Sequence, residues 1–184
     1  MIDPTVAKRI RLIAFDVDGV LTDGGLYVGA VQGEKVEFKR FDIQDGLGVK
    51  LLTRAGLLTA MVTGRAGDAA RIRAEEMDVD EFVISGGHKV PALEAMLARH
   101  QVTWEETCYV GDDLIDIPIM TRVALPVAVA NAAAEVKACA RFTTQASGGH
   151  GGVREFAEAF LRAVGLWTDV LQSYLEERGH VALQ

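Results

Sequence analysis

Two aspartates two residues apart, Asp16 and Asp18, close the apolar run IRLIAF and are followed by Gly19 and Val20. Carboxylates this close repel one another unless a proton or a cation lies between them. An Asx-type turn would also put Asp and Gly at the end of a strand, but the pair does not stand alone. A second apolar run, TCYV, leads into Gly111-Asp112-Asp113-Leu114-Ile115-Asp116, whose three acids are too closely flanked by apolar residues to be a solvated surface run. Oxygen ligands of this kind suit a hard cation such as Mg²⁺, which takes few protein carboxylates and keeps positions for water and phosphate. Asp112 is the leading ligand candidate there, and Asp113 or Asp116 would alternatively cap the helix that follows. Thr63-Gly64-Arg65 ends the run LLTAMV with a hydroxyl and backbone N–H groups, and Lys89 opens the next helical segment. Singly, Thr-Gly is an ordinary strand-to-helix turn and a lone Lys is usually solvated. Together, in this order and all at strand ends, these pieces make a set suited to phosphoryl transfer.

Such residues need a scaffold that brings strand ends to one edge. Short apolar runs alternate with helix-like segments, the pattern of an α/β domain with a mostly parallel sheet. Strands are predicted over 10–15, 57–62, 81–84, 107–110, 123–129 and, less clearly marked, 141–144. Helices are predicted over 47–55, 67–77 and 90–99, with another beginning near Leu114 and a capped turn at Thr103–Glu106. In an open parallel sheet ligands bind at the carboxyl ends of the strands. Residues 26–41 break the alternation: β-type residues flank a Gln-Gly turn and read as a hairpin inserted directly after the first strand. No other insertion is long enough for a lid domain. After the GGHGG loop, Val153, Phe156, Ala157, Phe160, Leu161 and Val164 recur at helical spacing, and Trp167, Val170, Leu171, Tyr174 and Leu175 repeat the pattern. That second stripe packs within the subunit or against a neighbour.

The 184 residues suit one domain, with a core over 8–166 and a helical tail over 167–184. The net charge of −7 argues against nucleic acid or an anionic membrane as the main partner. No apolar run has the length of a membrane span, and the N-terminal residues MIDPTVAKRIR hold no signal-type stretch. Two cysteines, Cys108 and Cys139, are too few for a disulfide framework, and the four scattered histidines lack zinc-ligand spacing. A reduced, cytoplasmic location is expected by default.

The four chemical pieces, from Asp16 to Asp116, resemble the four motifs of the haloacid dehalogenase (HAD) superfamily of phosphotransferases. The resemblance implies a three-layer, Rossmann-like fold with helices on both faces of the sheet. It implies that Asp16 attacks phosphorus to form an aspartyl-phosphate, with Asp18 as general acid and then base. It also implies a Mg²⁺ ion held by the Asp16 carboxylate, the Asp18 carbonyl and the Asp112 carboxylate, with Thr63 and Lys89 stabilising the transferred group.

The segments DVDGVLTDGGLYVG, FDIQDGLGVKLL, TGR, YVGDDLIDIPIM and GGHGGVRE further resemble the 3-deoxy-D-manno-octulosonate 8-phosphate (KDO 8-phosphate) phosphatases, over about residues 10–165. That family lacks a separate cap domain and assembles as tetramers, and its members act on a sugar-acid phosphate for lipopolysaccharide synthesis. By this resemblance Asp42, Ile43, Gln44, Asp45 and Gly46 fall where the family contacts the sugar, although Asp45-Gly46 would also cap a following helix. Lys50, Arg65 and Arg73, with Lys89, are candidates to meet the phosphate and carboxylate of such a substrate. The family segment often reads Phe-Asn-Val-Arg-Asp-Gly, so Asp42 and Gln44 make this loop more acidic. His150 stands where Arg is frequent. Arg65 favours an octulosonate over a nonulosonate 9-phosphate, the alternative sugar acid. A phosphate-accepting receiver domain is a further alternative, opposed by Asp18, since receivers lack an acid two residues beyond the phosphoacceptor. A non-catalytic scaffold is opposed by the complete set Asp16, Asp18, Lys89 and Asp112.

Overall fold

Apolar runs bounded by turn residues become the buried strands of this chain. The computed structural model describes residues 1–179; the end of the expected tail, 180–184 with His180, lies outside the described residues. The strands are β1 (Leu12–Asp16), β2 (Tyr27–Val31), β3 (Glu34–Phe38), β4 (Leu58–Thr63), β5 (Glu81–Ile84), β6 (Thr107–Gly111), β7 (Leu125–Ala128) and β8 (Phe142–Thr143). The helices are α1 (Pro4–Ala7), α2 (Ile43–Arg54), α3 (Asp68–Met77), α4 (Lys89–His100), α5 (Ile117–Met120), α6 (Ala134–Cys139), α7 (Gly152–Val164) and α8 (Trp167–Glu176).

Six strands form one parallel sheet in the order β5-β4-β1-β6-β7-β8. β1 lies inside it and is buried along its whole length. From β1 the chain moves outward through β4 and β5, then returns to the other side of β1 to build β6, β7 and β8. The junction of β1 and β6 is therefore the point where strand order reverses, which is where such sheets bind ligands. Register brings Asp16 beside Val62 and Phe15 beside Val110, so Asp16, Thr63 and Gly111 reach one edge together.

Helices α2 and α7 pack closely on one face, with α1, α3 and α8 against them, and α4, α5 and α6 form the second helical group. The predicted stripe on α7 is buried at Val153, Phe156, Ala157, Phe160 and Leu161. Phe156 meets Phe15 edge-on, with ring centroids 6.3 Å apart. Burying each such side chain contributes roughly 1.5–3 kcal/mol. The second stripe packs within the subunit: Val170 is buried, and Trp167 and Tyr174 lie against the core.

Some boundaries differ from expectation for local reasons. Helix α2 starts at Ile43, not Leu47, because the Asp42 carboxylate accepts from the Gln44 N–H at 2.8 Å and caps it. The helix expected near Leu114 begins as one 3₁₀ turn over Leu114–Asp116, held by a capping box between Asp113 and Asp116, before α5 takes over. The short helices α1 and α6 carry too few apolar repeats to be read from periodicity. The hairpin forms as expected from β2 and β3, outside the main sheet. Gln32 and Gly33 at its tip both have positive φ, 53° and 85°, as a two-residue hairpin turn requires. A bridge between Thr22 and Phe41 closes its base. No helix among the described residues is long and apolar enough to cross a membrane.

Candidate active site

Asp16 is the last residue of β1, and beyond it the chain makes one wide turn over Val17–Leu21. Gly19, at φ +92°, lies inside that turn, and a Cβ there would stand 2.0 Å from Asp112 Oδ2. Only glycine lets the two loops meet this closely. Asn131 locks the turn from behind: its Nδ2 donates to the Gly19 carbonyl at 3.0 Å, and its Oδ1 accepts from the Gly148 N–H at 2.7 Å. A Cβ on Gly148 would lie 1.9 Å from the Gly19 oxygen. The GGHGG loop is thus a close-packed brace for the Asp16 turn.

The carboxylates meet around one lysine. Lys89, the first residue of α4, places Nζ 2.8 Å from Asp16 Oδ1 and 2.7 Å from Asp116 Oδ1. Tyr109, fully buried in β6, donates to the same Asp116 oxygen at 2.7 Å. The other Asp116 oxygen accepts the backbone N–H groups of Asp112 (3.0 Å) and Asp113 (3.4 Å). Asp116 is therefore saturated, the anchor that holds Lys89 and the Asp112 loop together. Asp113 caps the following turn through the Leu114 N–H at 2.7 Å. Asp16 is held at one oxygen only: Oδ1 accepts from the Val17 N–H at 2.7 Å and meets Lys89, whereas Oδ2 takes no bond among the described residues.

This density of negative charge is not balanced by protein cations alone. Burial, then the Asp116 carboxylate, push Asp16 up to about 7 despite Lys89. Burial, then Asp16 and Asp116, push Asp112 up to about 8. For Lys89 burial acts downward, but Asp16 and Asp116 outweigh it and hold the ammonium above its ordinary range. Asp112 Oδ1 is buried without a hydrogen-bond partner among the described residues. Oxygens of Asp16, Asp112 and Asp116 lie within 4.8 Å of one another. A buried, unpaired carboxylate oxygen facing a second carboxylate is a strongly unfavourable arrangement without a cation. The donor set is all oxygen, so the residues fit a hard divalent ion, with the carboxylates of Asp16 and Asp112 as its natural ligands.

The rim is built differently. Asp18 Oδ1 meets Lys39 Nζ at 2.6 Å, and Asp18 Oδ2 faces the Thr63 hydroxyl at 3.5 Å. Thr63 is itself oriented by the Arg65 N–H, 3.1 Å from its oxygen. The exposed Arg65 guanidinium donates to Glu37 on β3 at 3.1 Å. Burial acts upward on Glu37, yet Arg65 and Lys39 hold its carboxyl below the usual range. Asp42 and exposed Ile43 and Gln44 stand at the α2 N-terminus, next to this rim.

Three predicted contact residues have other tasks in this chain. Asp45 is buried, and its carboxylate accepts from the Gly151 (3.2 Å) and Arg154 (2.8 Å) N–H groups, capping α7. Arg73 donates to the Asp42 carbonyl at 3.1 Å, pairs with Glu76 and lies over the Phe41 ring, as a strut beneath the 41–46 loop. Gly46 gives it room, since a Cβ there would stand 2.2 Å from the guanidinium. Lys50, two turns into α2, is exposed beside Met77 and Asp78, away from the Asp16 edge.

Sequence reading passed over Lys39, Glu37, Tyr109 and Asn131. Tyr109 carried a signal, since a phenol inside a buried strand needs a partner. Asn131, at a strand's carboxyl end, carried a weaker one. Lys39 and Glu37 look like ordinary charged hairpin residues.

Comparison with known proteins agrees with this geometry. The haloacid dehalogenase-like hydrolase family model matches residues 66–156. The 3-deoxy-D-manno-octulosonate 8-phosphate phosphatase of Yersinia pestis is 39% identical over 157 residues, 85% of this chain and 82% of that one. The crystal structure of the phosphatase of that name from Moraxella catarrhalis, in complex with magnesium, phosphate and KDO, superposes with a TM-score of 0.87 at 30% identity, covering 93% of this chain and 97% of that one. A cobalt-bound form from Haemophilus influenzae gives 0.84 at 32% identity, covering 92% and 99%. Similarity at this level over nearly the whole length, on a fold that gathers the same four motifs at one edge, places the chain in the 3-deoxy-D-manno-octulosonate 8-phosphate phosphatase family of the haloacid dehalogenase-like hydrolases.

Proposed function

We propose that this chain is a Mg²⁺-dependent phosphatase that converts 3-deoxy-D-manno-octulosonate 8-phosphate to KDO and phosphate, in the supply of a lipopolysaccharide sugar. The observation that carries the reading is Asp16, anchored through Oδ1 and free at Oδ2, facing the unpartnered Asp112 oxygen at the strand-order reversal. Asp16 Oδ2 forms a bond to phosphorus as the bridging P–O bond breaks. The leaving oxygen keeps that electron pair and takes a proton from the Asp18 carboxylic acid. Water then gives its proton to the Asp18 carboxylate while its oxygen bonds phosphorus and the aspartyl–phosphorus bond breaks. Thr63 and Lys89 stabilise the negative charge on the transferred group. The Mg²⁺ ion, held by Asp16, the Asp18 carbonyl and Asp112, supplies charge neutralisation that lets two anions approach.

Arg65 and the 42–44 loop are proposed to receive the sugar acid. Lys50 is too remote in one subunit and would need a neighbour's site; Asp45 and Arg73 support the loop. A homotetramer belongs to the same proposal, supported by the exposed apolar residues Tyr27, Val28, Val31 and Phe38 on the hairpin. So does a single domain over 1–184. A cytoplasmic location is supported by the unpaired thiols Cys108 and Cys139.

The test is Mg²⁺-dependent phosphate release from this substrate, from a nonulosonate 9-phosphate and from a sugar phosphate without a carboxylate. The octulosonate should show the highest kcat/KM, and Asp16→Asn should lower its turnover at least ~10³-fold. A higher kcat/KM for either competitor overturns the substrate, and a loss below tenfold overturns the nucleophile.

A further inference from the structure

The hairpin reaches the reaction centre through one side chain that no sequence motif marks. Lys39 leaves the end of β3 with its side chain 1% exposed, an unusual burial for a lysine on an inserted ribbon. Two carboxylates face it: Asp18, with Oδ1 2.6 Å away, and Glu37, with Oε1 3.7 Å away. The buried Glu37 Oε1 has no hydrogen-bond partner, and Oε2 of the same carboxylate is taken by Arg65 at 3.1 Å. Lys39 is thus held from behind by Glu37 and grips Asp18 in front.

That grip sorts the two oxygens of Asp18. Oδ1 is committed to the hairpin, whereas Oδ2 is turned toward Thr63, the side on which phosphate would sit. A general acid acts only when its oxygen lies within hydrogen-bond reach of the leaving atom. A carboxylate on a turn has a rotatable χ1 and χ2, and it needs a second contact to hold one orientation. We propose that Lys39 is a positioning residue that fixes Asp18 with Oδ2 aimed at the bridging oxygen, so that the hairpin sets leaving-group protonation. This rests on the general-acid reading of Asp18 and not on which sugar is the substrate.

Leaving groups separate this role from structural support or general charge. An alkyl phosphate must have its oxygen protonated as the P–O bond breaks, whereas para-nitrophenoxide departs without a proton. Because kcat/KM stops at the first irreversible step, it reports binding and aspartyl-phosphate formation and leaves out the later hydrolysis. Lys39→Met should lower kcat/KM roughly 10²-fold for the best sugar phosphate found. For para-nitrophenyl phosphate the loss should stay under about fivefold. Lys39→Gln, which keeps an N–H donor on a chain one atom shorter, should fall between, and it carries the same comparison if the Met variant does not fold. Equal losses on the two substrates, or no loss on either, overturn the proposal. Asp18→Asn is the control. If it too treats both substrates alike, the general-acid reading of Asp18 fails. If it discriminates and the Lys39 variants do not, the Lys39 inference alone fails.

Discussion

The sheet edge and the rim above it both use charged residues, but they hold them in opposite ways. At the edge, Asp16, Lys89 and Asp116 are almost fully buried and are attached to the central strand, the start of α4 and the turn after β6. Asp116 is over-determined: it accepts from Lys89, Tyr109 and two backbone N–H groups. At the rim, Glu37, Arg65 and Asp42 sit on a hairpin, a strand-end loop and a helix cap, with Arg65 half exposed. Arg65 pairs with Glu37, and Asp42 with Arg40. The difference separates what must not move, the nucleophile and its cations, from what must yield to an incoming substrate.

Three changes probe that division. The largest effect should come from Asp116→Ala, which leaves buried Lys89, Tyr109 and two N–H groups without their acceptor. Losing one partner of a buried ion pair costs about 3–5 kcal/mol, so urea unfolding should show that loss together with near-complete loss of turnover. A stable but inactive variant would break the claim that the edge couples fold and chemistry. Arg65→Ala should be smaller and purely kinetic: KM for the carboxylated substrate should rise about tenfold, with the unfolding midpoint unchanged. Destabilisation comparable to Asp116→Ala would place Arg65 in the edge and not the rim. Smallest of all is Glu75→Ala, which removes an exposed pair with Arg71 on the outer face of α3. It should leave both the melting curve and kcat/KM where they are.

The edge was legible in the sequence because its residues end strands. Asp16, Thr63, Lys89 and Asp112 each follow or open an element whose hydrophobic pattern is plain, and a parallel sheet does the rest. The rim was legible only as residue types. Arg73 has the charge that a sugar-acid pocket wants, and Asp45 falls in the segment that the resemblance assigns to the sugar. Their actual tasks, a strut under Asp42 and a cap on α7, depend on the packing of α2 against α3 and α7, which periodicity does not encode. Lys39 was missed for the converse reason: a lysine after a β-ribbon reads as solvated, and only the fold-back of the hairpin over Asp18 buries it. The α2 start at Ile43 was missed because a capping Asp42 precedes the first apolar repeat.

The brace behind the nucleophile has a consequence for how the protein is made. Asp16 lies on β1, whereas Asn131 and Gly148, which fix the turn after it, follow more than a hundred residues later. A nascent chain therefore carries this carboxylate without its brace until both residues have been made. The brace closes only when the GGHGG loop folds back onto Gly19, so a chain cut short of Gly148 lacks it.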